Sequence, residues 1–204
     1  MAATAEDKIL QYVSRETYGK FIVYMELVKR WNRQTSLVQV QTLDHFMERH
    51  ILDSLQLLPV IEDSAMTIDI GTGAGFPGMV LAISGAKNIT LCDSNNRKTV
   101  FLSEVKRELD VEVEVVCSRI ENLLFGSYTQ VVSRACANLT FLLGQTLFVS
   151  RETKSRPRLV ALKGERFEQE IAKAREEFNF NYQKIDSVAS SNGVILTITD
   201  IVKL

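Results

Sequence analysis

Over roughly the first 60 residues, apolar side chains recur at three- and four-residue steps, the period of an amphipathic helix. Phe21, Tyr24, Met25, Val28 and Trp31 share one face. After a polar break at Gln34–Gln41, Leu43, Phe46, Met47, Ile51 and Leu58 define a second amphipathic helix. From Met66 the rhythm changes. Short β-rich apolar runs alternate with helical stretches, as parallel strands joined by right-handed helical crossovers require. The pattern predicts strands at Thr67–Ile70, Ile89–Asp93, Glu112–Val116, Gln130–Ser133 and Arg158–Leu162. Helices are predicted near Gly78–Ser84, Asn96–Leu109, Leu139–Val149 and Glu165–Phe178. Two last strands, Tyr182–Val188 and Val194–Val202, are separated only by Ala189–Gly193. That link is too short for a helical crossover, so they are expected to pair as an antiparallel hairpin. The predicted architecture is α/β: a helical extension over residues 1–62 packed on a Rossmann-like core over 63–204, mostly parallel and seven-stranded, with a hairpin edge.

Composition narrows the class. Hydrophobic residues make up 46% and charged residues 24% of the 204, enough for a packed core. The formal charge of −1 leaves no global basic excess, so any nucleic-acid surface must be a local patch. Cys92, Cys117 and Cys136 lack the paired spacing of a zinc site and read as thiols of a reducing compartment. No metal is expected. Met1–Lys8 has no apolar run, and no stretch reaches the roughly 20 apolar residues a membrane span needs, so a cytoplasmic protein is expected.

The densest chemical signal is Asp69-Ile70-Gly71-Thr72-Gly73-Ala74-Gly75-Phe76-Pro77-Gly78, between a predicted strand and a predicted helix. An α/β sheet binds nucleotide-like ligands there, off the carboxyl ends of its strands. Two cofactors fit. Gly73-x-Gly75-x-x-Gly78, with Asp93 about 20 residues on, matches the dinucleotide fingerprint. Gly71-x-Gly73-x-Gly75 preceded by Asp69 matches an S-adenosylmethionine loop. Asp93 suits either, since both carry an adenosine ribose. The carboxylate at Asp69 would repel a pyrophosphate and welcome the positively charged methionyl end, which favours S-adenosylmethionine, as does the terminal hairpin. A glycine-rich turn with no ligand is the plainer reading; three closely spaced glycines cost chain entropy and call for a reason.

If a methyl group is transferred, the sequence bears on its acceptor. The segment after the fourth strand, Ser133-Arg134-Ala135-Cys136, lacks the Asp/Asn-Pro-Pro-aromatic run of exocyclic-amine methylation. Cys136 also lacks the Pro-Cys context of carbon-5 chemistry, so it reads more simply as a core or rim thiol than as a nucleophile. Guanine N7 has a free lone pair and no proton to lose, and asks only for desolvation and in-line alignment. That edge is hidden in the deep groove of A-form RNA, so the target would be a loop or extruded base. Arg151, Lys154, Arg156, Arg158, Lys163 and Arg166, against Glu152 and Glu165, form a candidate phosphate-contacting run or an ordinary solvated face.

Several segments carry a resemblance to a known family. They are Trp31-Asn32, Arg49-His50-Ile51-Leu52-Asp53-Ser54-Leu55, the loop Asp69–Gly78, Asp93-Ser94, Arg119-Ile120-Glu121 and Ser133-Arg134-Ala135. The chain resembles the bacterial small-subunit rRNA guanine-N7 methyltransferases, RsmG or glucose-inhibited division protein B (GidB), from about Trp31 to Gly164. The resemblance implies a class I S-adenosylmethionine-dependent methyltransferase that modifies 16S rRNA of the small ribosomal subunit; nothing in the sequence demands more than a monomer, which is the state expected. It implies cofactor contacts from Gly71, Gly73 and Phe76 in the loop, Asp93 at the ribose, and Ile120 and Glu121 at the adenine. Arg134 would lie near the methyl-transfer end, orienting the guanine or the cofactor carboxylate. By their residue types alone, Ile120 is a core position and Glu121 a partner for Arg119. His50, near the apolar stripe of its helix, is a second candidate for substrate orientation with no acid-base role. Arg49 and Asp53 are spaced for an i, i+4 salt bridge. Ser36 departs from the family's usual asparagine. The rival readings are an NAD-dependent oxidoreductase, a non-catalytic ribosome-assembly factor and a small-molecule methyltransferase.

Overall fold

A computed structural model describes residues 3–123, 127–134 and 137–204; Cys136 lies outside the described residues. The chain opens with α1 (Ala5–Ile9), started by a Thr4/Asp7 capping box, and α2 (Arg15–Asn32), whose first turn is capped by Ser14. Helix α2 buries Phe21, Tyr24, Leu27 and Val28. The second predicted helix is not continuous. It is a 3₁₀ turn at Val40–Thr42, a π-helical turn at Met47–Leu52 and a last α turn, α3 (Asp53–Leu55). Burial explains the break. His50, Ile51 and Leu52 are all buried, as are Ser54, Leu55, Gln56 and Leu57, a wider arc than one α-helical stripe presents. A π turn fits more residues into each turn than an α turn, so successive side chains lie closer together in angle and can share one buried face.

Seven strands form one sheet in the order β3-β2-β1-β4-β5-β7-β6. Strands β1 (Thr67–Ile70), β2 (Ile89–Asp93), β3 (Glu114–Cys117), β4 (Gln130–Arg134) and β5 (Arg158–Lys163) run parallel. Strands β6 (Phe178–Asp186) and β7 (Val194–Lys203) form the expected antiparallel hairpin, with β7 inserted beside β5. The intervening helices are α4 (Gly78–Ile83), α5 (Asn96–Leu109), α6 (Leu139–Val149) and α7 (Phe167–Ala174). Helix α7 stops well before the predicted Phe178. Phe178 and Phe180 alternate inward while Asn179 stays exposed, so period-two burial claims this stretch for β6.

Strand order reverses between β1 and β4, and at such a switch point an open α/β sheet leaves a crevice beyond its carboxyl ends. The N-terminal segment closes one side of it. Tyr24 and Phe46 enter the same buried cluster as Phe76 and Phe101, and Tyr24 donates a hydrogen bond to the carbonyl of Ala74 in the glycine loop. The hairpin connection is tied in as well. Buried Gln56 donates to Ser187 Oγ (3.1 Å) and accepts from Val188 N (3.0 Å). Among the described residues, no helix is long and apolar enough to cross a membrane.

Candidate active site

The glycine loop leaves β1 at the sheet's carboxyl edge, with Gly71, Gly73 and Gly75 at φ of 66°, 61° and 98°. Its glycines serve different ends. A Cβ on Gly75 would collide with the Tyr24 hydroxyl and lie 2.7 Å from Met79 Cβ. One on Gly78 would meet Leu91 and lie 2.8 Å from Asp69 Cβ, so that glycine lets α4 pack on the sheet. Gly73 is open. A Cβ there meets nothing nearer than the Gly71 carbonyl at 3.9 Å, which leaves its backbone approachable by a ligand.

Asp69 is sealed beneath this loop with no exposed surface. Its Oδ2 accepts from Thr72 Oγ1 (2.6 Å) and Gly78 N (2.8 Å). Burial pushes its carboxyl up to about 6 against those two bonds, and Oδ1 has no partner among the described residues. The expected meeting of Asp69 with a cofactor's charged end is therefore corrected: this acid staples the loop from below. Asp93, at the end of β2, accepts from Gly73 N (2.9 Å) and Asn95 N (2.8 Å) through separate oxygens, with Lys98 Nζ 4.0 Å from Oδ2. Each carboxylate oxygen keeps acceptor capacity for a ribose hydroxyl. Sequence reasoning missed Lys98, which reaches Asp93 from the first turn of α5.

Ser118 N bonds the Asp93 carbonyl (3.1 Å), which sets the short 3₁₀ turn Ile120–Asn122 beside the ribose candidate. Ile120 is buried in the core, whereas Glu121 is exposed and makes no pair with Arg119 among the described residues. Gly73, Asp93 and Glu121 thus follow one another along the carboxyl ends of β1, β2 and β3. That is the arrangement an adenosine-bearing cofactor requires.

On the other side of the loop, Arg134 ends β4 at the heart of a polar cluster. Its Nη1 donates to the Arg49 carbonyl (2.9 Å) and Asp53 Oδ2 (3.3 Å), and its Nη2 donates to His50 Nδ1 (3.0 Å). The guanidinium carbon lies 4.7 Å from the centroid of the Phe76 ring. Phe76 itself is buried, stacked on His50 at 4.8 Å and packed against Tyr24 and Phe46. Arg49 and Asp53 do not form the expected i, i+4 bridge. The half-buried Asp53 carboxylate is taken by Arg134 and Gln56 Nε2, and Arg49 contributes its carbonyl instead.

The hydrogen bonds assign the state of His50. Nδ1 accepts from an arginine, so the ring is neutral and its proton sits on Nε2, donated to Thr42 Oγ1 (2.9 Å). Burial first, then the charges of Arg134 and Arg49, lower its pKa to about 3. The unfolded chain therefore takes up a proton near pH 6.5 that the folded one refuses, and this contribution to stability is lost as pH falls from 6.5 toward 3. His50→Gln removes that dependence. The stability gap between wild type and His50→Gln, measured by urea unfolding, is expected to shrink by about 2 kcal/mol from pH 7 to pH 5. A gap independent of pH would contradict the neutral, locked imidazole.

A cavity of about 670 Å³ opens beside this cluster, walled by Arg49, His50, Arg134, Gly164 and the hairpin connection at Ser187–Gly193. The basic run Arg151–Arg166 does not form one surface. Arg156 pairs with Asp200 and Arg158 with Glu62 at the amino end of β5, opposite the glycine loop. Lys163 is buried at the other end, on Glu170 and the Ala137 carbonyl (2.7 Å). Arg151 lies over Phe148 and beside Glu152. A linear charge count could not see that β5 threads the sheet between these residues.

Comparison with known proteins agrees with this geometry. The family model described as GidB, rRNA small subunit methyltransferase G, matches residues 17–198. The ribosomal RNA small subunit methyltransferase G of Orientia tsutsugamushi (strain Ikeda) is 40% identical over 187 residues, covering 91% of this chain and 92% of that protein. That of Rickettsia prowazekii (strain Madrid E) is 33% identical over 193 residues, covering 94% and 98%. In fold, the chain is similar to a SAM-dependent methyltransferase from Aquifex aeolicus, with a TM-score of 0.58 at 14% identity over 76% of this chain and 92% of that one. The sheet order with its inserted β7 and the open Gly73 beside Asp93 thus come together with sequence similarity along nearly the whole chain, which belongs to the GidB family of rRNA small subunit methyltransferases.

Proposed function

We propose that this protein transfers a methyl group from S-adenosylmethionine to N7 of one guanine in the 16S rRNA of the small ribosomal subunit, acting as a monomer. The observation that carries the acceptor is the chemistry of the cavity beside Arg134. The titratable groups that hold Arg134 are already committed: His50 is neutral with both nitrogens bonded, and the Asp53 carboxylate is paired. Such a wall suits an acceptor that loses no proton. S-adenosylmethionine, when bound, supplies an electrophilic methyl on its sulfonium. Gly73 gives it backbone access, Asp93 takes the ribose hydroxyls, and Ile120 and Glu121 border the adenine. Gly71 and Phe76 frame the loop, the latter as the platform beneath Arg134.

Arg134 orients the base. Three of its hydrogen bonds go to the protein, and its Nε–H has no partner among the described residues. Methylation at N7 places positive charge on the guanine. A lone arginine would oppose that charge; paired with Asp53 at 3.3 Å, Arg134 fixes geometry at little electrostatic cost. The direct test is transfer from labelled S-adenosylmethionine to small subunits lacking the modification, followed by nucleoside analysis. Label is expected as N7-methylguanosine at one position, and absent with subunits already modified. Cofactor binding without label on any subunit would sink this reading.

A further inference from the structure

A second cavity, about 950 Å³, lies on the far side of the Leu162–Gly164 segment from the first and shares that segment as a wall. It runs between α6, α7 and the end of β7, outside the cofactor groove. Its volume falls within the range of about 300–1,000 Å³ usual for small-ligand pockets. Three features of its lining have no structural employment. Phe141 keeps 38% of its surface exposed at the mouth, although α6 is otherwise a core helix. One helical turn on, Gln145 has a buried Oε1 with no hydrogen-bond partner among the described residues, and a Cβ added at Gly144 between them would meet nothing nearer than the Phe178 ring at 3.9 Å. Arg166 and Lys203 line it without an ion pair among the described residues, against the single unpaired carboxylate of Glu177. Lys173 and Lys163 are neutralised by Glu176 and Glu170.

An exposed aromatic face, an unsatisfied amide and free cations together match what a single-stranded nucleotide offers. Its base stacks on a ring, its edge bonds an amide, and its phosphate meets positive charge. We propose that this cavity is a second nucleotide subsite, which holds a base neighbouring the target guanine stacked on Phe141 and bonded by Gln145, with its phosphate at Arg166 and Lys203. The inference rests on the RNA-methylating reading, because the shared wall lets one unstacked strand enter both cavities. Lys163 fixes that wall by joining β5 to the Ala137 carbonyl and, through Glu170, to the first turn of α6 at Leu139 N (2.8 Å). Gripping a neighbouring nucleotide would help keep the target base out of its stack.

Phe141→Ala and Gly144→Leu, which removes the platform or fills the floor, are compared with Phe141→Trp, which keeps a stacking face. With unmodified small subunits as substrate, the first two are expected to raise KM about tenfold, the scale of one lost base stack, at unchanged kcat. Phe141→Trp restores the wild-type value. S-adenosylmethionine affinity and Tm serve as controls and should not move. A parallel titration with a fluorescent single-stranded oligouridylate is expected to show about tenfold weaker binding to Phe141→Ala. Wild-type KM and wild-type oligonucleotide affinity in both disrupted variants would overturn the subsite. Failure of the wild-type protein to label subunits would instead remove the methylation reading, and the oligonucleotide titration would still decide the subsite.

Discussion

Replacing Gly75 by alanine is expected to lower stability by about 3–5 kcal/mol, whereas Gly73→Ala stays within about 2 kcal/mol of wild type and loses S-adenosylmethionine binding. The two positions are separated by one residue and both have positive φ, 61° at Gly73 and 98° at Gly75. At Gly75 a methyl group has nowhere to go. It strikes the Tyr24 hydroxyl that holds the loop, with Met79 Cβ at 2.7 Å and Leu102 Cδ2 at 2.9 Å behind it. Overpacking and an unfavourable backbone add, and a drop of about 10 °C in Tm follows for a chain of this size. At Gly73 only the left-handed backbone costs anything, because the added methyl points into open space. That space, beside the amide that Asp93 accepts from, is where we propose the cofactor approaches. Urea unfolding and calorimetric titration with S-adenosylmethionine separate the two variants. Wild-type cofactor affinity in Gly73→Ala would mean that the loop is not the cofactor's seat.

The centre of the sheet was legible because β1, β2, β4 and β5 are buried almost throughout and bounded by turn chemistry. Thr67–Ile70, Ile89–Asp93 and the helices Asn96–Leu109 and Leu139–Val149 have the predicted ends. The asparagines at 95 and 138 cap those two helices through their side chains. The short connection after residue 188 marked the hairpin equally well. What stayed hidden depends on partners far away in sequence. Residues 43–58 carry a helical period, yet their π turn exists because His50, Ile51 and Leu52 all face inward against the loop and α2. The pairing of Gly73 with Asp93 was readable, since a fingerprint spaces the two, and the structure joins them by a hydrogen bond of 2.9 Å. The Arg134 cluster was readable only as separate residues. Spacing pointed Asp53 at Arg49, four residues back, when its actual partner is 81 residues on. Asp69 was read by its charge, and its complete burial gives it the opposite orientation. Charge and spacing along a chain are local quantities, and packing overrides both.

Arg134→Ala is expected to lower kcat/KM for small subunits about a hundredfold or more, with S-adenosylmethionine affinity changed less than about threefold. The argument is geometric. The guanidinium is held at the Arg49 carbonyl, Asp53 and His50 and laid over Phe76, so it is presented to the cavity that Arg134 lines in one orientation. A base aligned by it loses that alignment when it is removed, and a misplacement near 1 Å costs on the order of a hundredfold. Arg134→Lys keeps the charge, but one ammonium cannot satisfy three acceptors and a ring together, so its loss should approach that of alanine. Alanine also strands the Asp53 carboxylate, which burial already pushes toward its neutral form, so the lysine variant guards against a mere folding defect. His50 provides a spectroscopic check. Its pKa of about 3 owes most to burial and next to Arg134, so in Arg134→Ala it should titrate higher by NMR while remaining below 6.5. A raised His50 pKa with undiminished kcat/KM would show that the cluster is intact as described but that Arg134 only braces the loop. An unchanged His50 pKa would contradict the contact itself.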